Sequence, residues 1–324
     1  MPGCFINILP NWFSSSSKRR RIIQQESPLL NIPLDAANKV LEKLEPMDLY
    51  CRNVCLGLRH AVDGFGIHVN TVGFRIYDRG IRISYDYNTT DYSQQINDKG
   101  LSMTYKKLER TYKKQNYVKL ALKDFGILLR YASELKISAP HKCYTNKNLK
   151  LLLKTWKAKK WNHVKKLEFS RVHLDFILSI FPHFNSQGLE SITMRNIYLD
   201  DQFEQITQLD QWKNTKNFCF DNYELECPPF EHLFHFQTFE IHILNFSIEN
   251  AIQFRDDLLK RKTFESCTVR FGGTTEFITG LIQTEVARVF KSDYVYSSEE
   301  YEYSNDMNKF TIKCHYGQLF IKRC

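Results

Sequence analysis

The sequence predicts an α/β protein, in which a small three-helix unit precedes an irregular, leucine-rich-repeat-like α/β solenoid with a mainly parallel sheet. Its 324 residues, 43% of them hydrophobic, allow one large domain plus a small one. Near the N-terminus, apolar residues recur at helical spacing in short, closely spaced segments that proline interrupts. Short β-branched and aromatic runs then alternate with helical stretches over most of the chain, which is typical of stacked strand–helix units.

The N-terminal region divides into a leader and the helical unit. Residues 1–28 are typical of a flexible leader, whose basic run 18–21 fits either a nuclear localisation signal or a solvated tail. Residues 29–66 carry three helical stripes, because Pro33 can open a first helix and Pro46 ends it and starts the next. Three helices this short cannot bury much core. Some apolar surface should therefore stay available for docking.

Residues 67–130 are predicted to form a hairpin and a helical connector. β-branched and aromatic residues fill 69–77 and 81–87, and the turn sequence between them predicts an antiparallel hairpin. The polar stretch 90–100 predicts a loop. Apolar spacing within 118–131 predicts an amphipathic helix.

Residues 131–324 show a weak internal repeat. The step between strands is mostly about 21–32 residues, the range of leucine-rich-repeat units, although the asparagine ladder of those repeats is missing. The alternative is an ordinary α/β domain with alternating elements. Ser247 is the expected N-cap of one helix. The predicted strands are 135–137, 164–169, 189–194, 215–220, 236–243 and 264–271, and the predicted helices are 149–160, 174–181, 201–209, 230–236 and 248–261.

Charge is distributed unevenly along the chain. The formal net charge is +9, while residues 101–170 hold 18 Lys and Arg against 4 Asp and Glu. Such clustering can serve nucleic acid or an acidic protein partner, and it also fits solvated helix faces. Lysine outnumbers arginine in this segment, and arginine is the better reader of bases. Solvated faces or an acidic protein partner are therefore favoured over nucleic acid.

Several classes of protein are disfavoured. No run approaches the roughly 20 apolar residues of a membrane span, and nine scattered cysteines do not resemble a secreted disulfide framework. An intracellular, cytoplasmic protein is expected, with nuclear entry if the run 18–21 is a signal. There is no phosphate-binding glycine loop, no nucleophile elbow and no matched set of zinc ligands. We therefore expect no catalytic residue, no metal and no cofactor.

Aromatic residues make up 14% of the chain. Those between 212 and 239 are expected to fill the solenoid core, although a concave face would use some of them as binding anchors. The acidic, tyrosine-rich segment 294–303 is predicted to be a solvated loop, with a surface for a basic target as the alternative. The aromatic residues in question are Trp212, Phe230, Phe234, Phe236 and Phe239.

Residues 31–63 resemble an F-box, a motif that runs from Leu-Pro through an Ile/Val-Leu pair and a Pro/Asp-Leu turn to a final Val-Cys or Val-Ser before Leu-Arg. Ile32 replaces the usual Leu or Met, and Leu58 stands where many F-boxes have Trp. The resemblance implies that apolar side chains of this segment dock a Skp-type adaptor. The same side chains could instead serve only the intramolecular core. The implied docking residues are Ile32, Pro33, Val40, Leu41, Leu44, Leu49, Val54, Cys55 and Leu58.

The rest of the chain is similar to the FTH domain of the nematode F-box A family, in the stretches 207–213, 231–236, 256–267 and 303–306. An F-box followed by an FTH domain implies a non-catalytic, substrate-recruiting adaptor of an SCF-type E3 ubiquitin ligase. Skp would connect it to cullin, and the FTH domain, placed at 131–324, would bind an unknown target protein. The alternatives are a Skp-independent protein-interaction module and a nucleic-acid-binding protein that uses the basic segment.

Overall fold

The chain divides into two compact units, Met1–Gly66 and Ile67–Cys324. The second unit is a mixed α/β structure in which one large sheet dominates and the helices are few. The computed structural model describes residues 36, 39, 69–94, 100–105, 108–112, 116–139, 151–154, 160–197, 199, 201–222, 229–243, 246–271, 276–291, 300–305 and 308–324.

One sheet of 14 strands runs through the described part of the second unit. The strands are β1 (Thr71–Tyr77), β2 (Gly80–Tyr85), β3 (Asn88–Gln94), β4 (Leu101–Tyr105), β5 (Leu108–Tyr112), β6 (Glu134–Ser138), β7 (Lys166–Ser170), β8 (Ser191–Arg195), β9 (Asn217–Asp221), β10 (Thr238–Ile243), β11 (Ser266–Phe271), β12 (Tyr301–Ser304), β13 (Lys309–His315) and β14 (Gln318–Arg323). Their order across the sheet is β12-β13-β14-β11-β10-β9-β8-β7-β6-β1-β2-β3-β4-β5. The central strands β1 and β6–β11 are parallel, and both flanking groups are antiparallel.

Helices fill the connections between strands. None of those in the described ranges has the length and apolar character that a membrane-spanning helix requires. Short 3₁₀ turns cover Phe181–His183, Phe230–His232 and Leu258–Lys260, and residues 151–154 are also helical. The remaining helices are α1 (Tyr117–Leu128), α2 (Leu174–Ile180), α3 (Phe203–Thr207), α4 (Asp210–Lys213), α5 (Ile248–Asp256) and α6 (Glu276–Phe290).

Two ladders of buried side chains hold the parallel strands in register. Each of these strands places alternate residues in the core, and none of the ladder side chains is more than 3% exposed. A shift of one residue in any strand would turn its apolar side chains to the opposite face, so burial fixes the register. The ladders are Val72-Leu135-Leu167-Ile192-Phe218-Phe239-Cys267 and Phe74-Ile137-Phe169-Met194-Phe220-Ile241-Val269.

The parallel strands also repeat one pair of backbone hydrogen bonds at their start. We call this pair, in which two successive N–H groups donate to one carbonyl, a backbone joint. The N–H groups of Lys165 and Lys166 both donate to the carbonyl of Ser133, at 2.7 and 3.1 Å. One strand later, Glu190 and Ser191 donate to the carbonyl of Lys165 in the same way. Equivalent strands therefore begin with equivalent hydrogen bonds, which satisfy backbone donors that no helix or hairpin serves. The further joints of this kind join Gln237 and Thr238 to Lys216, and Glu265 and Ser266 to Gln237.

Helix α1 covers the antiparallel strands at one end of the sheet. The ring of Phe125 lies 4.8 Å from that of Phe74. The buried hydroxyl of Tyr92 donates a 2.7 Å hydrogen bond to Oδ2 of Asp124. Burial raises the pKa of Tyr92, and the nearby Asp124 carboxylate raises it further, so the phenol keeps its proton in the folded chain.

Helix α6 is joined to the hairpin β13–β14 at the other end. The buried Gln283 donates from Nε2 to the carbonyl of Cys314 at 3.2 Å and accepts the N–H of Gly317 at 3.0 Å. Tyr316 and Gly317 form the hairpin turn at φ values of 49° and 66°. Positive φ at both central residues matches the right-handed twist of the flanking strands.

Most elements predicted from the repeat pattern are confirmed. The six predicted strands correspond to β6–β11, and the hairpin corresponds to β1 and β2. The predicted helix in 118–131 corresponds to α1, and Ser247 caps α5 through a reciprocal pair of hydrogen bonds with Asn250. β1 pairs with β6, so the sheet is continuous across residue 130. The domain boundaries themselves stay predictions.

Other elements were predicted wrongly. The stretch 90–100 is not all loop, because β3 reaches Gln94. Its polar composition hid a period of two, in which Thr90 and Tyr92 are buried. Only a single 3₁₀ turn forms within 230–236, and the helix predicted to reach 261 ends at Asp256. The end of the tyrosine-rich segment is strand β12, which pairs with β13, rather than a loop.

The core ladders predict a large effect of truncation. Phe220→Ala removes a fully buried side chain from the second ladder, and we expect the free energy of unfolding to fall by about 3–5 kcal/mol. Cys219→Ala, one residue earlier and facing the other side of the sheet, should cost less than about 1 kcal/mol. Urea denaturation measures both values. Equal losses would contradict the assignment of the two faces.

The buried phenol predicts a loss of stability in alkali. Above pH 10, the ordinary tyrosine value, the unfolded chain releases the Tyr92 proton while the folded chain retains it, so stability falls as the pH rises. Tyr92→Phe should lower stability by about 1–3 kcal/mol at neutral pH and make the alkaline slope shallower. Tyr87→Phe, which changes a fully exposed tyrosine, should keep the wild-type slope. Thermal melting between neutral pH and pH 11 or so distinguishes the two variants.

Candidate functional site

The F-box-like residues and the sheet are the two candidate sites. All nine predicted Skp-docking residues lie outside the described residues. Within residues 29–66 the structure describes Ala36 and Lys39, and both are helical and exposed. The docking role of the segment therefore stays a prediction. The nine residues are Ile32, Pro33, Val40, Leu41, Leu44, Leu49, Val54, Cys55 and Leu58.

The parallel strands present an open, charged surface opposite the core. Parallel sheets are usually buried on both faces and read as continuous apolar runs. Here each parallel strand alternates apolar and polar residues, and side chains such as Lys136, Arg195 and Arg270 are 42–48% exposed. We call the outward-facing residues of β1 and β6–β11 the polar face. Its charged and ionisable members are Arg75, Glu134, Lys136, Lys166, Glu168, Arg195, Asp221, Glu240, His242 and Arg270.

A chain of ion pairs crosses four neighbouring strands of the polar face. Nζ of Lys136 lies 3.1 Å from Glu134 and 3.3 Å from Glu168. Arg195 continues the chain, with Nε 3.2 Å from Glu168 and Nη1 2.7 Å from Asp221. Acidic and basic groups therefore alternate along the face, and each cation of this chain touches two carboxylates.

The ion pairs lower the pKa of Glu134 and raise the pKa of Lys136. Burial alone would raise the pKa of Glu134, but hydrogen bonds from Thr71 and Lys136 outweigh it and lower the pKa. Burial likewise disfavours charged Lys136, yet its two carboxylate neighbours raise its pKa. Glu134 and Lys136 therefore stay charged at neutral pH. Because they are partly exposed, each pair contributes only about 0–1 kcal/mol to stability.

Strands β9–β11, at one end of the polar face, contain a second set of ionisable residues. Nη1 of Arg270 lies 2.6 Å from Glu240. Nδ1 of His242 lies 3.9 Å from Asp221. Burial lowers the pKa of His242 despite that carboxylate, so this imidazole is mainly neutral at pH 7. This end is thus nearly balanced in charge.

Nothing among the described side chains is arranged for bond chemistry. Burial raises the pKa of the Cys219 thiol to about 11, so it holds its proton at neutral pH and is a poor nucleophile. No group of three His, Cys, Asp or Glu residues within the described ranges could hold a metal ion.

The aromatic residues named from the sequence are confirmed as core. All five are at most 5% exposed, so the alternative of binding anchors on a concave face is wrong for them. The indole of Trp212 packs against Phe203, Phe218 and Phe236, with ring centres 4.8–5.4 Å apart. The polar face itself was not predicted from the sequence. The sequence pattern that could have predicted this face is the alternation of charged and apolar residues in the predicted strands.

These features define a class: a mixed α/β sheet protein in which residues 146–293 match the family model of the FTH domain. That match includes β7–β11 and α2–α6, and thus most of the polar face. Among known proteins the chain is similar to F-box A protein 224 of Caenorhabditis elegans. The two are 24% identical over 311 residues, which cover 90% of this chain and 78% of the relative. No solved structure matches the chain.

The ion-pair chain predicts a small and salt-dependent effect on stability. Arg195→Gln removes the cation shared by two carboxylates, and we expect it to lower the free energy of unfolding by about 1 kcal/mol or less. High salt should reduce the difference from wild type. Lys165→Gln, which disrupts a more exposed pair with Glu190, should be indistinguishable from wild type. A much larger loss in Arg195→Gln would mean that the face contributes to folding.

Proposed function

We propose that this chain is the substrate-recruiting adaptor of an SCF-type E3 ubiquitin ligase. Its F-box-like segment docks a Skp-type adaptor, and Skp connects it to cullin. The FTH region holds a target protein for ubiquitin-dependent degradation. The observation that carries the proposal is the order of the two parts: an F-box-like motif at 31–63, then an FTH match at 146–293, in a chain similar to a protein named as F-box A.

The docking step rests on burial of apolar surface. The F-box-like segment concentrates apolar side chains in a unit too short to enclose them. Covering them with partner helices contributes about 25 cal/mol per Å², before the ordering costs of association. Pro33 and Leu44 belong to this set, Ile32 is a conservative departure from the usual motif, and Leu58 in place of Trp weakens one aromatic contact.

The target-binding step uses the parallel strands. Their sequential order and repeated backbone joints support the interpretation of this region as an irregular, leucine-rich-repeat-like solenoid. Solenoids use the exposed side of their strands as an extended binding surface, and the polar face is that surface here. The buried amide of Asn222 donates a hydrogen bond to the carbonyl of Ile197 at 2.7 Å.

The mechanism is proximity rather than chemistry. One end of the chain binds the ligase core, and the other keeps the target near the ubiquitin-loaded enzyme, which raises the effective concentration of target lysines. The chain supplies no reacting group, metal or cofactor in this scheme. The adaptor acts inside the cell, in the cytoplasm, and reaches the nucleus if the run 18–21 is a localisation signal.

The test is binding of a purified Skp-type protein to the full chain. Wild type should bind, and the double variant Pro33→Ala, Leu44→Ala should lose at least about tenfold in affinity, because it truncates two buried contacts. Arg195→Gln serves as the control, since it changes a remote part of the chain. Circular dichroism checks that all three proteins are folded.

Two other results would contradict the proposal. A folded wild-type chain that does not bind Skp favours a Skp-independent protein-interaction module. Binding of nucleic acid with a steep salt dependence and without Skp binding favours use of the basic segment 101–170 for nucleic acid.

A further inference from the structure

Arg75 differs from the other arginines in this part of the sheet because it has no carboxylate partner among the described residues. It is exposed on β1, in the strand that joins the antiparallel and parallel parts of the sheet. An exposed, unneutralised arginine in a row of neutralised ones is available to a ligand. The neutralised arginines are Arg82 with Asp91 (2.7 Å), Arg195 with Asp221 (2.7 Å) and Arg270 with Glu240 (2.6 Å).

The guanidinium of Arg75 is oriented without using its N–H donors. Its central carbon lies 5.6 Å from the centre of the Tyr77 ring, and that of Arg82 lies at the same distance. Two contacts of 2.7 and 3.0 Å with Asp91 fix Arg82. Stacking of this kind restrains an arginine side chain and leaves its planar fork free for a carboxylate.

Free hydroxyl donors lie next to Arg75 in the same row. Register places Ser138 beside Arg75, Ser170 beside Ser138, and Arg195 beyond them. Both serines are half-buried, and neither hydroxyl has a hydrogen-bond partner among the described residues. Strands are about 4.8 Å apart, so the row spans roughly 15 Å between the two arginines. We call Arg75, Ser138 and Ser170 the Arg75 row.

We infer that the Arg75 row binds a carboxylate side chain of an acidic segment in the target protein. The arginine fork donates two parallel N–H bonds to the carboxylate, and the serine hydroxyls donate to further acceptors of the bound segment. An acidic occupant complements the Arg75 guanidinium, and the sequence segment 101–170, which includes both serines, holds 18 Lys and Arg against 4 Asp and Glu. The inference deepens the target-binding side of the proposed function and rests on it.

Fluorescence anisotropy with the full chain tests this site. The probe is a labelled peptide of alternating Glu and Gly, and the control peptide replaces each Glu with Gln. Wild type should bind the first peptide and not the second. Arg75→Gln should weaken binding about tenfold or more, because it removes a bidentate charged contact. Arg288→Gln, on helix α6 and paired with Glu285 at 2.7 Å, should stay within about twofold of wild type.

A second variant separates a built site from general attraction. The double variant Ser138→Ala, Ser170→Ala keeps every charge, and it should still weaken peptide binding, by about threefold to tenfold. Circular dichroism checks the fold of each protein, and the serine variant decides alone if Arg75→Gln does not fold. Equal losses in Arg75→Gln and Arg288→Gln, no loss in the serine variant, or equal binding of the two peptides would overturn the inference.

Two further measurements distinguish an acidic peptide from nucleic acid as the occupant, and separate a failure of this inference from a failure of the proposed function. A single-stranded oligonucleotide that binds more tightly than the Glu-Gly peptide, and loses affinity in Arg75→Gln, would assign the row to nucleic acid and overturn the inference. Skp binding is measured on the same preparations. Skp binding without peptide binding overturns this inference alone, and peptide binding without Skp binding overturns the proposed function alone.

Discussion

Alternating burial in parallel, in-register strands is the constraint on which the rest of the sheet depends. Each central strand contributes one side chain to each of two core ladders, and the neighbouring residues must face outward. A one-residue slip would expose apolar ladder positions such as Phe169 and Phe220 and bury charged ones such as Glu168 and Asp221. Register, core and outward surface are therefore fixed together.

The outward surface that results differs from the usual parallel sheet. Helices cover one side of the described strands, and the other side carries ion pairs that are weak individually because water screens them. Their contribution is geometric, since they hold side chains such as Lys136 and Arg195 in place and leave little net charge. Against this balanced background Arg75, a polar-face arginine without a carboxylate partner among the described residues, becomes a specific feature.

Adaptor function and this architecture fit each other physically. An adaptor needs two separate binding surfaces and no reactive group, and the Cys219 thiol, the cysteine on the polar face, keeps its proton. One surface would be apolar and short, as in the F-box-like segment, where burial supplies affinity. The other would be the polar face, where charge complementarity and hydrogen bonds would supply specificity more than raw affinity. The FTH match, residues 146–293, covers most of the polar face.

The sequence by itself determined the central strands, the hairpin and the aromatic core, because a period of two and clustered aromatics are local signals that neighbouring residues carry. It did not reveal β3, whose buried Tyr92 is satisfied by Asp124, 32 residues away. The F-box-like docking residues stay predictions from the motif. Only the tertiary structure decided which charges meet: Glu168 and Arg195 are 27 residues apart and touch because strand register aligns them. The same register leaves Arg75 beside serines instead of a carboxylate, a placement that no local pattern encodes.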